Sequence, residues 1–200
     1  MTEPVTRWWW IRHGPVVENN AVCVGQLDLV PDLSDLAALA RLSDAVPASP
    51  TWVCSPLCRT RATLEAIRAN RKDDDGEPLV EPGFAEQHFG VWQGRTYDEV
   101  RAETGDEAWR IPSLLQPPGG ERYDTVFARV ASAIEQVGAA CSGGDIVVVA
   151  HAGSIRAALA KALDLNLDRA LSISVAPLSL TSIAQYGEDA WSVGFVNRLP

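Results

Sequence analysis

The chain has 200 residues, 46% of them hydrophobic and 22% charged, a balance that suits a soluble fold with a substantial core. Its net charge of -9 argues against nucleic acid or an anionic membrane as a partner, although a local arginine cluster can still receive an anionic small molecule. Four cysteines (Cys23, Cys54, Cys58, Cys141) lack disulfide-framework spacing, and the start carries Glu3 and no long apolar core, so a cytoplasmic protein without a signal segment is expected.

Val5 to Ile11, with WWWI at 8 to 11, reads as a strand too short to cross a membrane. Residues 14 to 31 show no period and read as loop. Leu33, Leu36, Ala37, Leu39, Ala40 and Leu42 recur at helical spacing between Pro31 and Pro47. Thr51 to Cys54 is a second short strand. A helix is expected from Pro56 through Leu57, Ala62, Leu64 and Ile67, with Ser55 as its cap. The charged stretch 71 to 77 reads as a turn or surface loop, Pro78 to Gly94 is mixed with one short extended piece, and Tyr97 to Ala102 suits a helical segment. Ile111 to Gly120 contains PSLLQPPGG and reads as loop.

Tyr123 to Ala140 is the clearest helix, with Val126, Phe127, Val130, Ile134 and Val137 on one side. IVVVA at 146 to 150 is uniformly apolar, as a strand covered on both faces should be. A helix follows from Gly153 to Leu163. Leu171 to Pro177, Leu178 to Tyr186 and Trp191 to Val196 are late strand candidates. No repeat is evident, and residues 1 to 200 read as a single α/β layered domain.

Reactive residues fall at strand ends. Arg12-His13-Gly14 follows the first strand, Ser55 to Arg59 the second, and His151-Ala152-Gly153 the IVVVA strand. Parallel strands would bring all three to one rim, where α/β sheets place their ligands. Two histidines, two forked arginine donors and helix N-termini outline an oxyanion site. Each residue also has an ordinary alternative: a loop histidine, a core-edge histidine, or arginines paired on the surface. A metal site is disfavoured because no comparable ligand cluster is present.

Taken in order, these motifs resemble the histidine phosphatase superfamily, the branch with phosphoglycerate mutases and alpha-ribazole phosphatases. Arg12-His13-Gly14 is similar to its RHG signature, followed by Asn19, Gly25 and Asp28. Ser55-Pro56-Leu57-x-Arg59 with Thr63 resembles the second block, Glu86 with Phe89-Gly90, Trp92 and Gly94 the third, and Gly120-Glu121 a pair before the long helix. Val149 to Gly153 resembles the second-histidine block. Pro15, Val16 and Val17 depart from the usual residues after RHG, the usual glycine is missing near Asp35, and Ala152 replaces a common glycine.

The resemblance implies a three-layer α/β/α sandwich with a mostly parallel central sheet, phosphoglycerate mutase-like. It also implies a phosphomonoester hydrolase that needs neither metal nor cofactor and acts on a small phosphorylated metabolite. In that reading His13 attacks phosphorus, while Arg12, Arg59, His151, Asn19 and Ala152 hold the phosphate. Glu86 exchanges the proton with the leaving oxygen, and is preferred over Glu81 and Glu121 on its block alone. His88 is expected at the rim or in a structural role. The alternatives are mutase-type phosphoryl transfer, which the short chain disfavours, and a non-catalytic phosphate-ligand binding protein, for which one of the two histidines should be missing. A homo-oligomer is left open: the apolar stretch Leu171 to Ala184 suits an interface or, more commonly, a core strand pair.

Overall fold

The computed structural model describes residues 5–16, 21–69, 71, 76–141, 143–187 and 190–200. Six strands form one sheet: β1 (Val5–Arg12), β2 (Thr51–Cys54), β3 (Leu79–Val80), β4 (Gly144–Ala150), β5 (Leu180–Tyr186) and β6 (Ala190–Arg198). Their spatial order is β3-β2-β4-β1-β5-β6. The first four run parallel, and β5 and β6 are antiparallel to their neighbours. The expected common rim therefore exists, because β4 lies between β1 and β2 and all three point the same way.

Helices cover both faces. On one side α4 (Tyr123–Cys141) and α5 (Ala152–Leu163) bury Val126, Val130, Ile134 and Ile155 against Trp8, Trp10, Ile146 and Val148. On the other, α1 (Leu36–Ala45) and α2 (Cys58–Arg68) bury Leu39, Leu42, Leu64 and Ile67 against Trp52, Val147 and Val149. β4 thus turns apolar side chains to both faces, which explains its uninterrupted apolar run. Trp9 lies on the α1–α2 face, its indole N–H donating to Asp145 Oδ1 at 2.9 Å. Two shorter helices, α3 (Tyr97–Thr104) and α6 (Leu167–Leu171), complete the set of α-helices among the described residues.

The sequence reading needs three corrections. The first helix starts at Leu36, because the Asp35 side chain accepts the Ala38 N–H and caps it there. The second starts at Cys58, with Leu57 as its cap residue. Ser55 is not its cap; its hydroxyl is turned toward His151. Leu171 to Pro177 is not a strand. Leu171 ends α6, and the carbonyls of Ile173 and Val175 accept from the Arg156 and Arg12 side chains in place of a ladder partner. Within the late apolar stretch, Leu180 to Ala184 pairs with β1 and β6, as a core strand would.

Candidate active site

Register sets the two histidines side by side. Arg12 pairs with Ala150, and the next residue on each strand is a histidine. His13 N–H donates to Ala150 O at 3.0 Å. The two imidazole rings lie 5.1 Å apart and tilted by 59°.

His13 Nδ1 meets Gly14 O at 2.6 Å. A carbonyl can only accept, so Nδ1 carries the proton and Nε2 keeps its lone pair. Burial, with Arg59 and Arg12 adding to it, holds the ring neutral by lowering its pKa from 6.5 to about 3. Thr63 steadies this turn: its hydroxyl accepts from Gly14 N–H at 2.9 Å and donates to Arg59 O at 2.7 Å.

Backbone carbonyls orient both arginines. Arg59 donates from Nη1 to Leu27 O at 2.7 Å and from Nη2 to Gly25 O at 2.6 Å, and its Nε–H rests 3.3 Å from His13 Nε2. Arg12 donates from Nη1 to Val175 O at 2.6 Å, while its Nε is buried with no hydrogen-bond partner. Burial lowers both guanidinium pKa values, and the nearby Glu86 carboxylate opposes that shift.

His151 is fully buried, its ring beside His13 and its Nε2 2.7 Å from Ser55 Oγ. Thr60 Oγ1 lies 2.9 Å from that same hydroxyl and 2.8 and 2.9 Å from the carbonyls of Leu57 and Ser55. Ser55 Oγ thus links the His151 ring to Thr60, whose hydroxyl is engaged with the two carbonyls. His151 Nδ1 is left buried without a partner. Burial, then Arg59, holds its pKa well below 6.5. Arg12 Nε, on the residue before His13, and His151 Nδ1, on the ring beside it, are thus both buried without a hydrogen-bond partner.

Glu86 closes the site from the third side. Its Oε1 accepts Gln87 N–H at 2.9 Å and its Oε2 accepts Gly153 N–H, in the first turn of α5, at 3.2 Å. Its segment is anchored by Arg129, which donates to the carbonyls of Gly83, Ala85 and Glu86 and pairs with the Glu121 carboxylate at 2.8 Å. Glu121 also accepts His88 N–H, and Glu81 accepts Gly83 N–H, so both rival carboxylates are engaged in structure. His88 Nδ1 accepts from Gly90 N–H, away from the two histidines.

Arg12, His13, Arg59, Glu86 and Ala152 all border one cavity of about 420 Å³. His151, fully buried, is not among the residues that border it. Asn19 lies outside the described residues. Val16, from the unusual segment after RHG, does reach the cavity wall, as do Trp92 and Trp109. Ser55, Thr60, Thr63, Arg129 and Arg156 were not assigned to the site from sequence. Ser55 and Thr63 stood in the second block without a role, Arg156 lies four residues beyond Ala152 on the same helical face, and Thr60 and Arg129 carried no signal. Among the described residues no group of three or more His, Cys, Asp or Glu is placed to hold a metal, and no helix is long and apolar enough to cross a membrane.

The parallel strands thus bring Arg12, His13 and His151 to one rim of an α/β sheet, with Arg59 reaching it from the first turn of α2. The chain belongs to the histidine phosphatase superfamily, branch 1, whose family model matches residues 8–198. It is 34% identical over 178 residues to a glucosyl-3-phosphoglycerate phosphatase of Mycolicibacterium vanbaalenii, covering 82% of this chain and 77% of that protein. It is 32% identical over 150 residues to a bifunctional protein of Mycobacterium tuberculosis, covering 73% of this chain but 40% of that longer protein. Its fold matches an alpha-ribazole phosphatase from Shigella flexneri with a TM-score of 0.81 at 20% identity, over 96% of each chain.

Proposed function

We propose that the chain is a metal-independent phosphomonoester hydrolase that works on a small phosphorylated metabolite through a phosphohistidine on His13. The observation that carries this reading is the fixed state of that ring: Nδ1–H held by Gly14 O, and Nε2 unprotonated against Arg59. A neutral imidazole with its lone pair directed at the anion site is the form that attacks phosphorus.

In the first step His13 Nε2 bonds to phosphorus as the ester oxygen leaves with its electron pair. Arg12, Arg59 and protonated His151 share the charge on the nonbridging oxygens, a task that oriented, water-poor donors perform well and that a metal performs elsewhere. Arg59 Nε–H, now resting on the nucleophile, is placed to turn to a phosphate oxygen instead. Ala152, at the start of α5, offers its backbone to the same anion. Glu86 hands a proton to the leaving oxygen. In the second step its carboxylate takes a proton from the water that attacks phosphohistidine, which returns His13 to its starting state.

Incubation with 32P-labelled substrate should give acid-labile, base-stable label on His13. Release of free phosphate without an isomerised phosphoester separates hydrolysis from mutase-type transfer. Stable binding of phosphoesters with neither label nor phosphate release would overturn the catalytic reading.

A further inference from the structure

The cavity beyond His13 has two unlike parts. Most of its outer wall is apolar: Val16, Val22, Phe89, Leu115, Pro117 and Pro177. Tyr97 stands edge-on between Phe89 and Trp109, with ring centroids 6.5 and 6.2 Å away and interplanar angles of 87° and 81°. Several polar groups on this side have internal partners, while Trp92 Nε1–H is buried without one. Trp109 Nε1–H donates to Thr104 Oγ1, Tyr123 O–H to Gly153 O, and Gln87 Nε2 to Glu121 O.

One cation interrupts the apolar wall. Arg156 lies one helical turn beyond Ala152 on α5, and both line the cavity. Its Nε–H donates to Ile173 O at 2.8 Å, which fixes the side chain. Its two Nη nitrogens have no hydrogen-bond or ion-pair partner among the described residues. Arg156 lies close enough to Arg12 to act on it electrostatically, so the site carries a third positive charge beyond the two that face the phosphate. A fixed cation with no ion-pair partner among the described residues, in a cavity whose lining carboxylate, Glu86, is held by the Gln87 and Gly153 N–H groups, is stabilised by an anion that arrives with the ligand.

We infer that the natural substrate is a phosphomonoester whose leaving group is an apolar ring carrying a second acidic group, the ring seated on the Phe89–Tyr97–Trp109 wall and the acid on Arg156. This rests on the phosphatase reading above and adds the identity of what leaves. A sugar in the same place would press several hydroxyls against walls that offer them few partners, and each unpaired hydroxyl weakens binding.

The test uses esters of primary alcohols, so that leaving-group chemistry stays similar: benzyl phosphate, its meta- and para-carboxy derivatives, and glucose 6-phosphate, with p-nitrophenyl phosphate as a control. Expected kcat/KM falls from the better carboxybenzyl ester to benzyl phosphate to glucose 6-phosphate, by about tenfold or more at each step, the usual size of one charge-assisted or unmade hydrogen bond. In Arg156→Gln the carboxybenzyl-to-benzyl ratio should fall toward about one, and in Arg156→Lys it should recover in part. A wild-type chain that prefers glucose 6-phosphate, or shows no carboxylate advantage, overturns the inference whether or not the variants fold. So does a carboxylate advantage that survives in Arg156→Gln. Failure to turn over any ester, p-nitrophenyl phosphate included, overturns the phosphatase reading itself. The substrate class is then judged by equilibrium binding, where equal Kd values for benzyl and carboxybenzyl phosphate would sink it.

Discussion

The Glu86 carboxylate occupies the space that a side chain at Gly153 would need: a Cβ there would overlap Glu86 Oε1, while Gly153 N–H donates to Oε2. Gly153 is therefore required for the room it leaves and not for an unusual backbone angle. Gly153→Ala should displace the carboxylate while keeping the fold. Under the proposed role, kcat/KM for an alkyl phosphate falls by about 10²-fold or more, the usual range for general acid catalysis. p-Nitrophenyl phosphate, whose leaving oxygen needs no proton, should lose much less. Equal losses on the two substrates would remove Glu86 from proton transfer.

His13→Ala should abolish labelled phosphoenzyme. Ser55→Ala acts one step away: it strips His151 Nε2 of its hydroxyl partner and leaves a buried ring nitrogen unsatisfied, at a cost of about 1–3 kcal/mol in stability. Vanadate binding should weaken by about tenfold, and Ser55→Thr should restore part of it. A Ser55→Ala chain that binds vanadate like the wild type would show that the Ser55–Thr60 pair does not orient His151.

If the single ring proton of neutral His151 sits on Nε2, against Ser55 Oγ, its buried Nδ1 beside His13 is bare. Phosphate binding then requires one added proton, on the ring or on the phosphate. Vanadate and phosphate should bind more tightly as the pH falls from about 8 to about 6, with proton uptake visible by calorimetry in buffers of different ionisation enthalpy. Binding without proton uptake would mean that Nδ1 already carries the hydrogen.

Both buried histidines also make the fold acid-sensitive. The His13 pKa is depressed from 6.5 to about 3 in the folded chain, and that of His151 is lowered as well. Between those values the unfolded chain binds more protons than the folded one. Stability is thus fully present above about pH 6.5 and declines as the pH drops toward about 3, by up to about 1.4 kcal/mol per pH unit for each such histidine. Urea unfolding at pH 7.5 and pH 5 measures this, and His13→Asn should flatten the dependence. An unchanged slope in that variant would contradict the assignment.

Much of this architecture was legible in the sequence because it depends on local pattern. The run IVVVA announced a strand covered on both faces, and the spacing of Val126, Val130, Ile134 and Val137 announced α4. His13, Arg59, Glu86 and His151 could be selected because their motifs follow strands or stand in recognisable blocks. What escaped was whatever depends on distant partners. Ser55 looked like a helix cap because Pro56 follows it, yet its hydroxyl is taken by a histidine 96 residues away. Leu171 to Pro177 looked like a strand by composition, but two arginine side chains claim its carbonyls. Arg129 carried no sign that it would hold the segment bearing Glu86, because nothing local to α4 requires that contact.

The placement of Glu86 outside the sheet has a consequence for how such enzymes diversify. His13 and His151 stand at the ends of strands whose spacing is set by hydrogen-bonded ladders, and Arg59 stands in the first turn of the helix that follows β2. Glu86 and the aromatic wall hang on the stretch between β3 and α4, built from 3₁₀ turns and one short helix. That stretch can lengthen, shorten or be exchanged while the strand-end residues keep their positions. Transplanting it between relatives, with its Arg129 anchor kept, should move substrate preference as a unit while His13, Arg59 and His151 keep their positions.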